Sequence, residues 1–381
     1  MYKKRFLLII FFSFLVSQPE DCSNGRYLDG IFNVDIQYGI QYGQNINQTV
    51  LGSPYTQDLY MDVYAPSNDD FNNRPLIFFM FGGSFIGGSK SSPDIVALCT
   101  KYAQRGYVAV AIDYRLTQGL ILTPTEEVAY KAVLKAMHDV KAAIRYFRMM
   151  DENSPEIYNI DTERIYAGGV SAGAIAAVNV GYLNSIDEIP AFLMDDYDSL
   201  GGLEGLSGNE GYDSSFHGII NLCGAVGDAA WIEEGDLPIV SMHGDQDDVI
   251  PYDDNLVTLF GLDIIVDGSY IIHQAMLELG NYSALHTYVN QGHVPFSNMI
   301  FETEFTSEFL YEIVCADDND FILGDINFDN EINILDVVNL VNFILGVTQP
   351  DNVEFYVSDI NNDSNLNVQD IIILINLILT N

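Results

Sequence analysis

Basic residues are scarce in this 381-residue chain. Lysine and arginine together number 15, against 54 aspartates and glutamates, and the formal net charge at pH 7 is −39. Because so acidic a surface repels the phosphate backbone of nucleic acids, the composition excludes general nucleic-acid binding. It suits a cation-rich environment, in which some of the carboxylates can serve as calcium ligands while most form a solvated surface.

Cysteine is also rare, with only Cys22, Cys99, Cys223 and Cys315 in the chain. None of them belongs to a C-x-x-C pair or to a cysteine–histidine cluster, so the sequence gives no sign of a zinc site. An even number of cysteines in an exported chain permits two disulfides. The sequence is compatible with two disulfides and, as the alternative, with buried free thiols.

Long hydrophobic runs are missing, apart from one at the N-terminus. A basic segment, residues 3–5, precedes an apolar run, 6–16, in which only Ser13 is polar. Since a membrane span needs about 20 apolar residues, this run is too short to cross a bilayer and is typical of a secretory signal peptide. We expect residues 1–17 to be a signal peptide and the protein to be secreted, not an integral membrane protein.

The main part of the chain alternates between short apolar runs and helical patterns. The strand candidates are 76–81, 108–112, 164–167, 219–223, 238–242 and 286–289, and the clearest helix is 126–149. Such alternation predicts an α/β fold with a mostly parallel central sheet and helices on both faces. We assign residues 22–316 to this α/β domain, 317–323 to a linker and 324–381 to a small all-α domain.

One long segment, 182–212, interrupts the alternation. It is rich in Gly, Ser, Asp and Asn and holds only short apolar pieces such as 191–194. Long connections of this kind are usually lids or binding loops. We therefore expect a lid or a wall of the substrate pocket.

The strongest catalytic motif is Gly169-Val-Ser-Ala-Gly173, which fits G-x-S-x-G. It stands between a predicted strand and a helix of small residues. Glycines on either side of the serine allow a tight strand-to-helix turn that lifts the hydroxyl above the sheet at a helix N-terminus. Ser171 is therefore the candidate nucleophile.

A glycine-rich loop, 81–89, follows the first strand candidate. Backbone N–H groups of such a loop can turn towards a developing oxyanion. We expect the oxyanion hole to consist of the N–H groups of Gly83, Ser84 and Ala172. A phosphate-binding loop is the alternative, but no lysine stands in the Walker A position and the acidic surface opposes phosphate.

The general base should be a histidine, and His293 lies in a loop after a predicted strand near the end of the main domain. The orienting acid should follow a strand between the nucleophile and this histidine. The segment after strand 238–242 offers Asp245, Asp247 and Asp248. Among the other histidines, His138 and His243 are expected to be structural. The remaining three, His217, His273 and His286, lack a motif.

Together these pieces resemble the α/β-hydrolase fold, in its carboxylesterase and carbohydrate-esterase branch. The order nucleophile, acid, base is that of this fold, and loop 81–89 is similar to the His-Gly-Gly-Gly-Phe loop of esterases and lipases. Segment 243–252 is similar to the family's H-G-x-x-D-x-x-V-P-Y segment, which implies Asp247 as the acid. The resemblance covers about residues 55–296 and implies a serine ester hydrolase that works through an acyl-enzyme without a cofactor.

An internal repeat fills the C-terminal segment, where residues 325–336 align with 359–370. Calcium in an EF-hand-type loop takes oxygen ligands from positions 1, 3, 5, 9 and 12 and a backbone carbonyl from position 7. The side-chain ligands would be Asp325, Asn327, Asp329, Asn333 and Asp336 in the first loop and Asp359, Asn361, Asp363, Asn367 and Asp370 in the second. Glu331 and Asn365 would supply the carbonyls, so the repeat predicts two calcium sites.

This repeat resembles the type I dockerin, a pair of calcium loops each followed by a helix rich in Leu and Ile. The resemblance implies a cohesin partner, with a calcium-dependent anchor or stabiliser as the alternative. Because dockerins are commonly joined to polysaccharide-degrading enzymes, it also favours acetyl or feruloyl esters of polysaccharides as substrates.

Two other functions are compatible with the sequence: a lipase or polyesterase, and a non-catalytic calcium-dependent scaffold or adhesion protein.

Trp231, the only tryptophan, follows the end of a strand, where pocket residues collect. It is a candidate substrate-binding residue, and core packing is the alternative.

Overall fold

The structure is a computed structural model. It describes residues 22, 24–49, 51–118, 125–315, 323–329, 331–350, 352–361 and 365–380. The chain divides into two compact units, a larger one over Asn24–Val314 and a smaller one that contains Cys315–Asn361 and Leu366–Asn381. The predicted signal peptide, 1–17, and most of the predicted linker, 317–322, lie outside the described residues.

The larger unit contains eleven strands within its described residues. They are β1 (Asn33–Gln48), β2 (Pro54–Ser67), β3 (Arg74–Met80), β4 (Val108–Ile112), β5 (Ile160–Val170), β6 (Ile219–Leu222), β7 (Ala225–Val226), β8 (Ile239–Gly244), β9 (Asp254–Leu259), β10 (Leu262–Gly268) and β11 (Ser283–Tyr288). Eight of them form one sheet in the order β1-β2-β4-β3-β5-β6-β8-β11. The six strands from β4 to β11 in this order pair in parallel, which confirms the predicted α/β class.

Helices connect these strands. In the described part of the larger unit they are α1 (Pro93–Gln104), α2 (Glu126–Asn153), α3 (Ala172–Tyr182), α4 (Met194–Leu200), α5 (Ser269–Glu278) and α6 (Ile300–Val314). Helix α2 begins as its sequence indicates, because the Thr125 side chain accepts a hydrogen bond from the N–H of Val128 and two glutamates occupy the first turn. Its long apolar face is buried.

The core of the sheet lies at β3 and β4, where every residue is buried. These strands were predicted from continuous apolar runs, which suit strands covered on both faces. The antiparallel start of the sheet, where β1 pairs with β2 and β2 with β4, was not predicted. In β1 polar residues recur and the side chains are mostly exposed or half-buried, so no continuous apolar run marks it.

A second, three-stranded sheet was also not predicted. Its order is β7-β10-β9, and all its pairs are antiparallel. Phe260 and Gly261, both at positive φ, form the turn between β9 and β10. A two-residue turn between two runs rich in Val, Leu and Ile is a hairpin signal that the sequence contained.

The predicted lid or wall, 182–212, contains α4 and irregular turns. Its second half is fixed to α2 by charged groups. Glu204 accepts hydrogen bonds from Lys141 at 2.8 Å and from Arg145 at 3.1 Å, and the Ser207 hydroxyl donates to Asp139 at 2.6 Å. This half is therefore attached firmly to the helix.

The four cysteines combine the two predicted alternatives, since one pair is a disulfide and the other two are buried free thiols. Cys22 and Cys315 form a disulfide, whereas Cys99 and Cys223 are buried free thiols. No helix in the described part of the chain combines the length and the apolar character that a membrane span requires.

The regular elements described in the smaller unit are helices: α7 (Ile334–Ile344), α8 (Asn352–Ser358) and α9 (Val368–Thr380). A small apolar core holds them together. Its buried members are Ile326, Val337, Leu340, Val357 and Leu374. Helices α7 and α9 are the two apolar runs that follow the predicted calcium loops.

Candidate active site

Ser171 stands at the turn between β5 and α3, with φ 54° and ψ −119°. A non-glycine residue in this region is strained, and such strain is typical of a nucleophile elbow. The turn is held from the neighbouring strand, because the N–H of Ser171 donates to the carbonyl of Leu222 at 2.8 Å. The hydroxyl is thereby presented at the carboxyl end of the sheet.

The two glycines of the motif are needed because this elbow packs against the end of β3. A Cβ atom on Gly169 would lie 2.6 Å from the carbonyl oxygen of Met80, and one on Gly173 only 2.1 Å from the same oxygen. Backbone cannot yield as a flexible side chain does. The G-x-S-x-G spacing is therefore a packing requirement.

His293 and Asp247 come to Ser171 from the loops after β11 and β8. The His293 Nε2 atom lies 2.9 Å from Ser171 Oγ, and its Nδ1 atom lies 2.6 Å from Asp247 Oδ2. The structure therefore brings the predicted nucleophile, base and acid into one hydrogen-bonded chain. This arrangement can transfer a proton from the serine to the imidazole.

The Asp247 carboxylate is held from several sides. Its Oδ1 atom accepts hydrogen bonds from the N–H groups of Val249 and Ile250, at 2.8 and 2.9 Å. Its Oδ2 atom lies 2.6 Å from His293 Nδ1 and 3.1 Å from His243 Nε2. Burial by itself would raise the pKa of Asp247, but hydrogen bonds from these four groups outweigh it and hold that pKa well below its usual range.

The two alternative acids do not occupy this position. The Asp245 carboxylate accepts a hydrogen bond from the N–H of Asn290 at 2.6 Å, and Asp248 is exposed. His243 was expected to be structural, yet it touches the carboxylate of Asp247, a contact that sequence reasoning missed. Its position four residues before this aspartate, at the end of a buried strand, is the only signal that pointed to it.

The predicted oxyanion loop lies directly against the elbow. A Cβ atom on Gly82 would be 3.2 Å from the Cβ of Ser171. Gly83 and Ser84 both have positive φ, and the Gly83 carbonyl accepts hydrogen bonds from two later N–H groups of the loop. Within the described part of the chain, the N–H groups of Gly83, Ser84 and Ala172 donate to no protein acceptor, which leaves them available for a ligand.

An apolar pocket opens beside Ser171. Its space, counted together with the part open to solvent, is about 950 Å³. Several elements form its wall: α2, α3, the segment 183–193 and the β9–β10 hairpin. Trp231 lines it, as does the first half of the predicted lid or wall.

The first predicted calcium loop is closed by Asp336. Its carboxylate accepts hydrogen bonds from the N–H groups of Ile326 and Asn327 at the start of the loop, at 2.8 and 3.1 Å, and from Asn333 at 2.8 Å. Asp325 Oδ1 accepts from the N–H of Asp329 at 3.1 Å. The oxygen atoms at predicted positions 1 and 12 are thus directed towards the same loop backbone.

The second loop repeats this pattern. The Asp370 carboxylate accepts hydrogen bonds from the N–H of Asn361 at 3.3 Å and of Asn367 at 2.9 Å. Predicted ligands Asp359 and Asn365 are also described, whereas Asp363 lies outside the described residues.

The ionisable side chains of residues 323–381 include carboxylates but no basic group. Asp325, Asp336, Asp359 and Asp370 are all buried, and the sequence from 323 to 381 contains no Lys, Arg or His. Buried carboxylates need a positive partner or strong donors. Oxygen-rich loops with no basic residue of their own are the donor set that Ca²⁺ prefers.

Comparisons with known proteins support both units. Residues 61–202 match the family model BD-FAE, and residues 323–379 match that of the dockerin type I domain. The first match includes Ser171 and the oxyanion loop but ends before Asp247 and His293. No curated protein matches the chain significantly in sequence.

The chain joins a BD-FAE esterase domain to a type I dockerin domain. Its larger unit is accordingly a carboxylesterase of the α/β-hydrolase fold, as the sequence predicted.

Solved structures with some likeness are esterases from Thermogutta terrifontis. The propionate-bound form of esterase 2 is 21% identical, with a TM-score of 0.49, and the match covers 71% of this chain and 94% of that one. The native form is 21% identical, also with a TM-score of 0.49, over 73% and 95% of the two chains.

The packing of the elbow gives a stability prediction. Gly173→Ala should destabilise the esterase domain by about 1–3 kcal/mol or more, because its methyl group would overlap the Met80 carbonyl. Urea denaturation followed by tryptophan fluorescence measures this, since Trp231 is the only tryptophan and lies in the larger unit.

Gly87→Ala is the matched control, because a Cβ atom at Gly87 meets nothing within 4 Å. Equal midpoints for the two variants would contradict the packing account of the motif.

Proposed function

We propose that this protein is an exported serine esterase that removes acyl groups from polysaccharides, with Ser171 as nucleophile, His293 as general base and Asp247 as the orienting acid. One observation carries the assignment of roles: the hydrogen-bonded chain from Ser171 Oγ through both ring nitrogens of His293 to Asp247 Oδ2. Each link has hydrogen-bond length in the free protein, which is the geometry that nucleophilic catalysis requires.

In the first half-reaction, Ser171 Oγ attacks the carbonyl carbon of the ester while its proton passes to His293 Nε2. The resulting imidazolium donates through Nδ1 to ionised Asp247, which keeps the ring in the productive tautomer. Imidazolium then gives the proton to the alcohol oxygen, the C–O bond breaks and an acyl-enzyme remains. The low pKa of Asp247 supports this role, because the acid stays ionised at neutral pH.

The negative charge of the tetrahedral intermediate falls on the former carbonyl oxygen. The N–H groups of Gly83, Ser84 and Ala172 are the proposed donors to it, since the loop packs against Ser171 at Gly82, Ala172 follows the serine directly, and none of the three has another described acceptor. Donors that are oriented before the reaction stabilise the developing oxyanion without reorganisation. Water then attacks the acyl-enzyme with His293 as base, and the acid and Ser171 are released.

The substrate class rests on the two domains together. A BD-FAE esterase fits the deacylation of polysaccharide esters, and a dockerin domain is a common appendage of polysaccharide-degrading enzymes. Acetyl and feruloyl esters are therefore the proposed natural substrates. The predicted signal peptide and the dockerin both support an extracellular location.

For the C-terminal part we propose two calcium sites and a cohesin partner, with domain boundaries at 22–316 and 324–381. The residues present fit the metal, because four buried aspartates share a segment that has no basic residue. Asp325, Asp336 and the other ligands predicted for the first loop would hold one ion, and their counterparts in the second would hold the other. Calcium would neutralise the loops and fix α7 and α9 for docking.

The role of the nucleophile gives the second prediction. Ser171→Ala should reduce kcat on p-nitrophenyl esters by about 10³-fold or more with folding unchanged, since the reacting oxygen is lost. Steady-state kinetics together with tryptophan fluorescence would measure it, and residual activity above about 1% would contradict the assignment.

Two aspartates supply a matched pair for the acid. Asp247→Asn should also reduce kcat severely, because an amide cannot stabilise the imidazolium. Asp245→Asn should have little effect, since that carboxylate bonds to the N–H of Asn290 and not to the imidazole. The reverse ranking would assign the acid to Asp245.

Calcium should stabilise the smaller unit selectively. In calorimetry of the full chain, the transition of the smaller unit should move to higher temperature when calcium is added. The free energy of unfolding of this unit should rise by about 2.7 kcal/mol for each site at a free calcium concentration of 100 Kd. Tryptophan fluorescence, which reports the larger unit, should change little. Asp336→Asn should weaken this calcium-induced shift, whereas the control Asp351→Asn, which lies between the two repeats in the sequence, should not. A calorimetric transition that calcium leaves unchanged would rule out the calcium sites.

A further inference from the structure

We propose that His243 is a positioning residue for ester hydrolysis, which holds the Asp247 carboxylate in line with His293 through a hydrogen bond donated by its Nε2 atom. This inference rests on the proposed function, because it takes Asp247 as the orienting acid and His293 as the general base. In the described part of the chain, the His243 ring contacts the acid and forms no hydrogen bond to Ser171. Its role is therefore separate from that of His293.

His243 occupies a rigid part of the sheet. It lies in β8, where it pairs in parallel with Thr287 of β11, and β6 flanks the same strand on its other side. Asp247 follows on the loop after β8, where its N–H donates to the carbonyl of Gly244 at 3.3 Å. Because side chains on strands are held more precisely than side chains on loops, the histidine can serve as a fixed point for the acid.

Hydrogen-bond partners determine which nitrogen of His243 carries the proton. Its Nε2 atom lies 3.1 Å from Asp247 Oδ2 and 3.1 Å from the carbonyl oxygen of Ile250. Both oxygens are acceptors, because the low pKa of Asp247 keeps its carboxylate ionised. Nε2 must therefore be protonated and donate to them.

The other ring nitrogen is held from α5 and β6. His243 Nδ1 lies 2.7 Å from the Ser269 hydroxyl oxygen, which also accepts a hydrogen bond from Asn221 Nδ2 at 2.9 Å. The orientation of the Asn221 amide is fixed, because its Oδ1 accepts from the N–H of Gly224 at 2.8 Å. The Gly224 carbonyl oxygen is 3.4 Å from the Ser269 hydroxyl, so the hydroxyl donates to the nearer Nδ1. Nδ1 is then an acceptor, which keeps the ring proton on Nε2.

Burial makes this network rigid. The side chains of His243 and Asp247 are fully buried, and Ser269 and Asn221 are also inaccessible. A buried network whose donors and acceptors are satisfied defines one arrangement of its members. The polar chain that begins at the nucleophile therefore continues inward from the acid.

Two further titratable groups face the His243 ring. The Cys223 thiol lies close, since one ligand atom each of Cys223, His243 and Asp247 fall within 4.8 Å of one another. Burial raises the pKa of this thiol to about 12, so it stays neutral. Tyr252 stands edge-on to the ring, with 5.8 Å between the centroids. Within the described contacts neither group donates to Asp247, so the two imidazoles are its side-chain donors.

The two oxygens of Asp247 have different partners, and this gives His243 its effect. Oδ1 is held by the backbone N–H groups of Val249 and Ile250. Oδ2 faces both imidazoles, at 2.6 Å from His293 Nδ1 and 3.1 Å from His243 Nε2. Without His243, Oδ2 would have only His293 as a partner, so the carboxylate would follow the ring that it has to orient.

Two amide substitutions in the full-length protein separate the two ring nitrogens. The NH₂ group of His243→Gln reaches the position of Nε2 and can still donate to Asp247, whereas that of His243→Asn reaches only the position of Nδ1. For p-nitrophenyl acetate we expect His243→Gln to keep kcat within about threefold of wild type. His243→Asn should lower kcat at least about tenfold, since a hydrogen bond to a charged group is lost. KM should change little, because His243 does not line the pocket beside Ser171.

The pH profile distinguishes positioning from simple structural support. Loss of the donor leaves more negative charge on Asp247 towards His293 and favours the imidazolium, which cannot act as a base. The acidic limb of kcat/KM should therefore move to higher pH by at least about half a unit in His243→Asn and stay in place in His243→Gln. Equal kinetics for the two amides, or an acidic limb that does not move in His243→Asn, would overturn the proposal.

His273 supplies a matched control. Its Nδ1 atom lies 2.8 Å from the Ser283 hydroxyl, a histidine–serine pair like that of His243 with Ser269. Among the described residues it has no hydrogen bond to the acid or to the base. His273→Asn should therefore leave kcat and the acidic limb unchanged. A loss as large as that in His243→Asn would show that any broken histidine–serine pair has this effect, and would overturn the assignment.

A double-mutant cycle tests whether His243 acts through the acid. In Asp247→Asn the carboxylate is absent, so the addition of His243→Asn should lower kcat by less than about twofold further. Independent effects would multiply instead. A further tenfold loss in the double variant would contradict the proposed route through Asp247.

Ser269→Ala tests the same network if His243→Asn does not fold, which thermal unfolding followed by tryptophan fluorescence reveals. It removes the donor to Nδ1 but leaves His243 in place, so Nε2 is no longer fixed as the protonated nitrogen. We expect kcat to fall about threefold and the acidic limb to move in the same direction by a smaller amount. Unchanged kcat together with an unchanged acidic limb would refute the positioning role.

Failure of this inference is distinguishable from failure of the proposed function. If Ser171→Ala and Asp247→Asn both kept wild-type activity, the proposed catalytic residues would be wrong, and with them the role of His243. If both are inactive while His243→Asn keeps the kcat and the acidic limb of wild type, only the positioning role fails.

Discussion

The Asp247 carboxylate must stay ionised inside the protein, and the catalytic end of the sheet is arranged around that requirement. Two backbone N–H groups of its own loop bind Oδ1, and two imidazoles approach Oδ2. Because four donors outweigh the cost of burial, the charge persists and can orient His293. The strands contribute by placing their carboxyl ends side by side, so that the loops after β5, β8 and β11 meet.

Elsewhere in the molecule, too, buried carboxylates need donors, and few Lys and Arg residues are present to supply them. In the larger unit, buried Asp139 is paired with Arg115 at 2.8 Å, and Glu204 is held by two basic residues of α2. Thus these three basic residues serve specific acidic partners. In the C-terminal segment no basic residue exists, so the buried aspartates of its loops require backbone donors and, as proposed, calcium.

The sequence predicted the elements whose signals are local. Strands β3 and β4 followed from unbroken apolar runs, and α2 followed from its periodicity. The antiparallel pair β1–β2 was missed, because polar residues recur along both strands and neither shows an unbroken apolar run, although the second half of β2 is largely buried. The β9–β10 hairpin was missed although Phe260-Gly261 marks its turn. That omission mattered, since the hairpin supplies a wall of the pocket and no part of it belongs to a catalytic motif.

Short motifs in the sequence by themselves determined the fold class, the esterase and dockerin domains and the candidate nucleophile, because each depends on spacing that backbone geometry imposes locally. The G-x-S-x-G turn is such a case, since both glycines face the Met80 carbonyl. Only the tertiary structure decided which aspartate meets His293, that His243 contacts the same carboxylate and that Cys22 pairs with Cys315. The first and last of these relationships join residues far apart in the chain, and the His243 contact, which spans only four residues, depends on how the loop after β8 turns. They exist only once the strands have aligned and excluded water from the space between them.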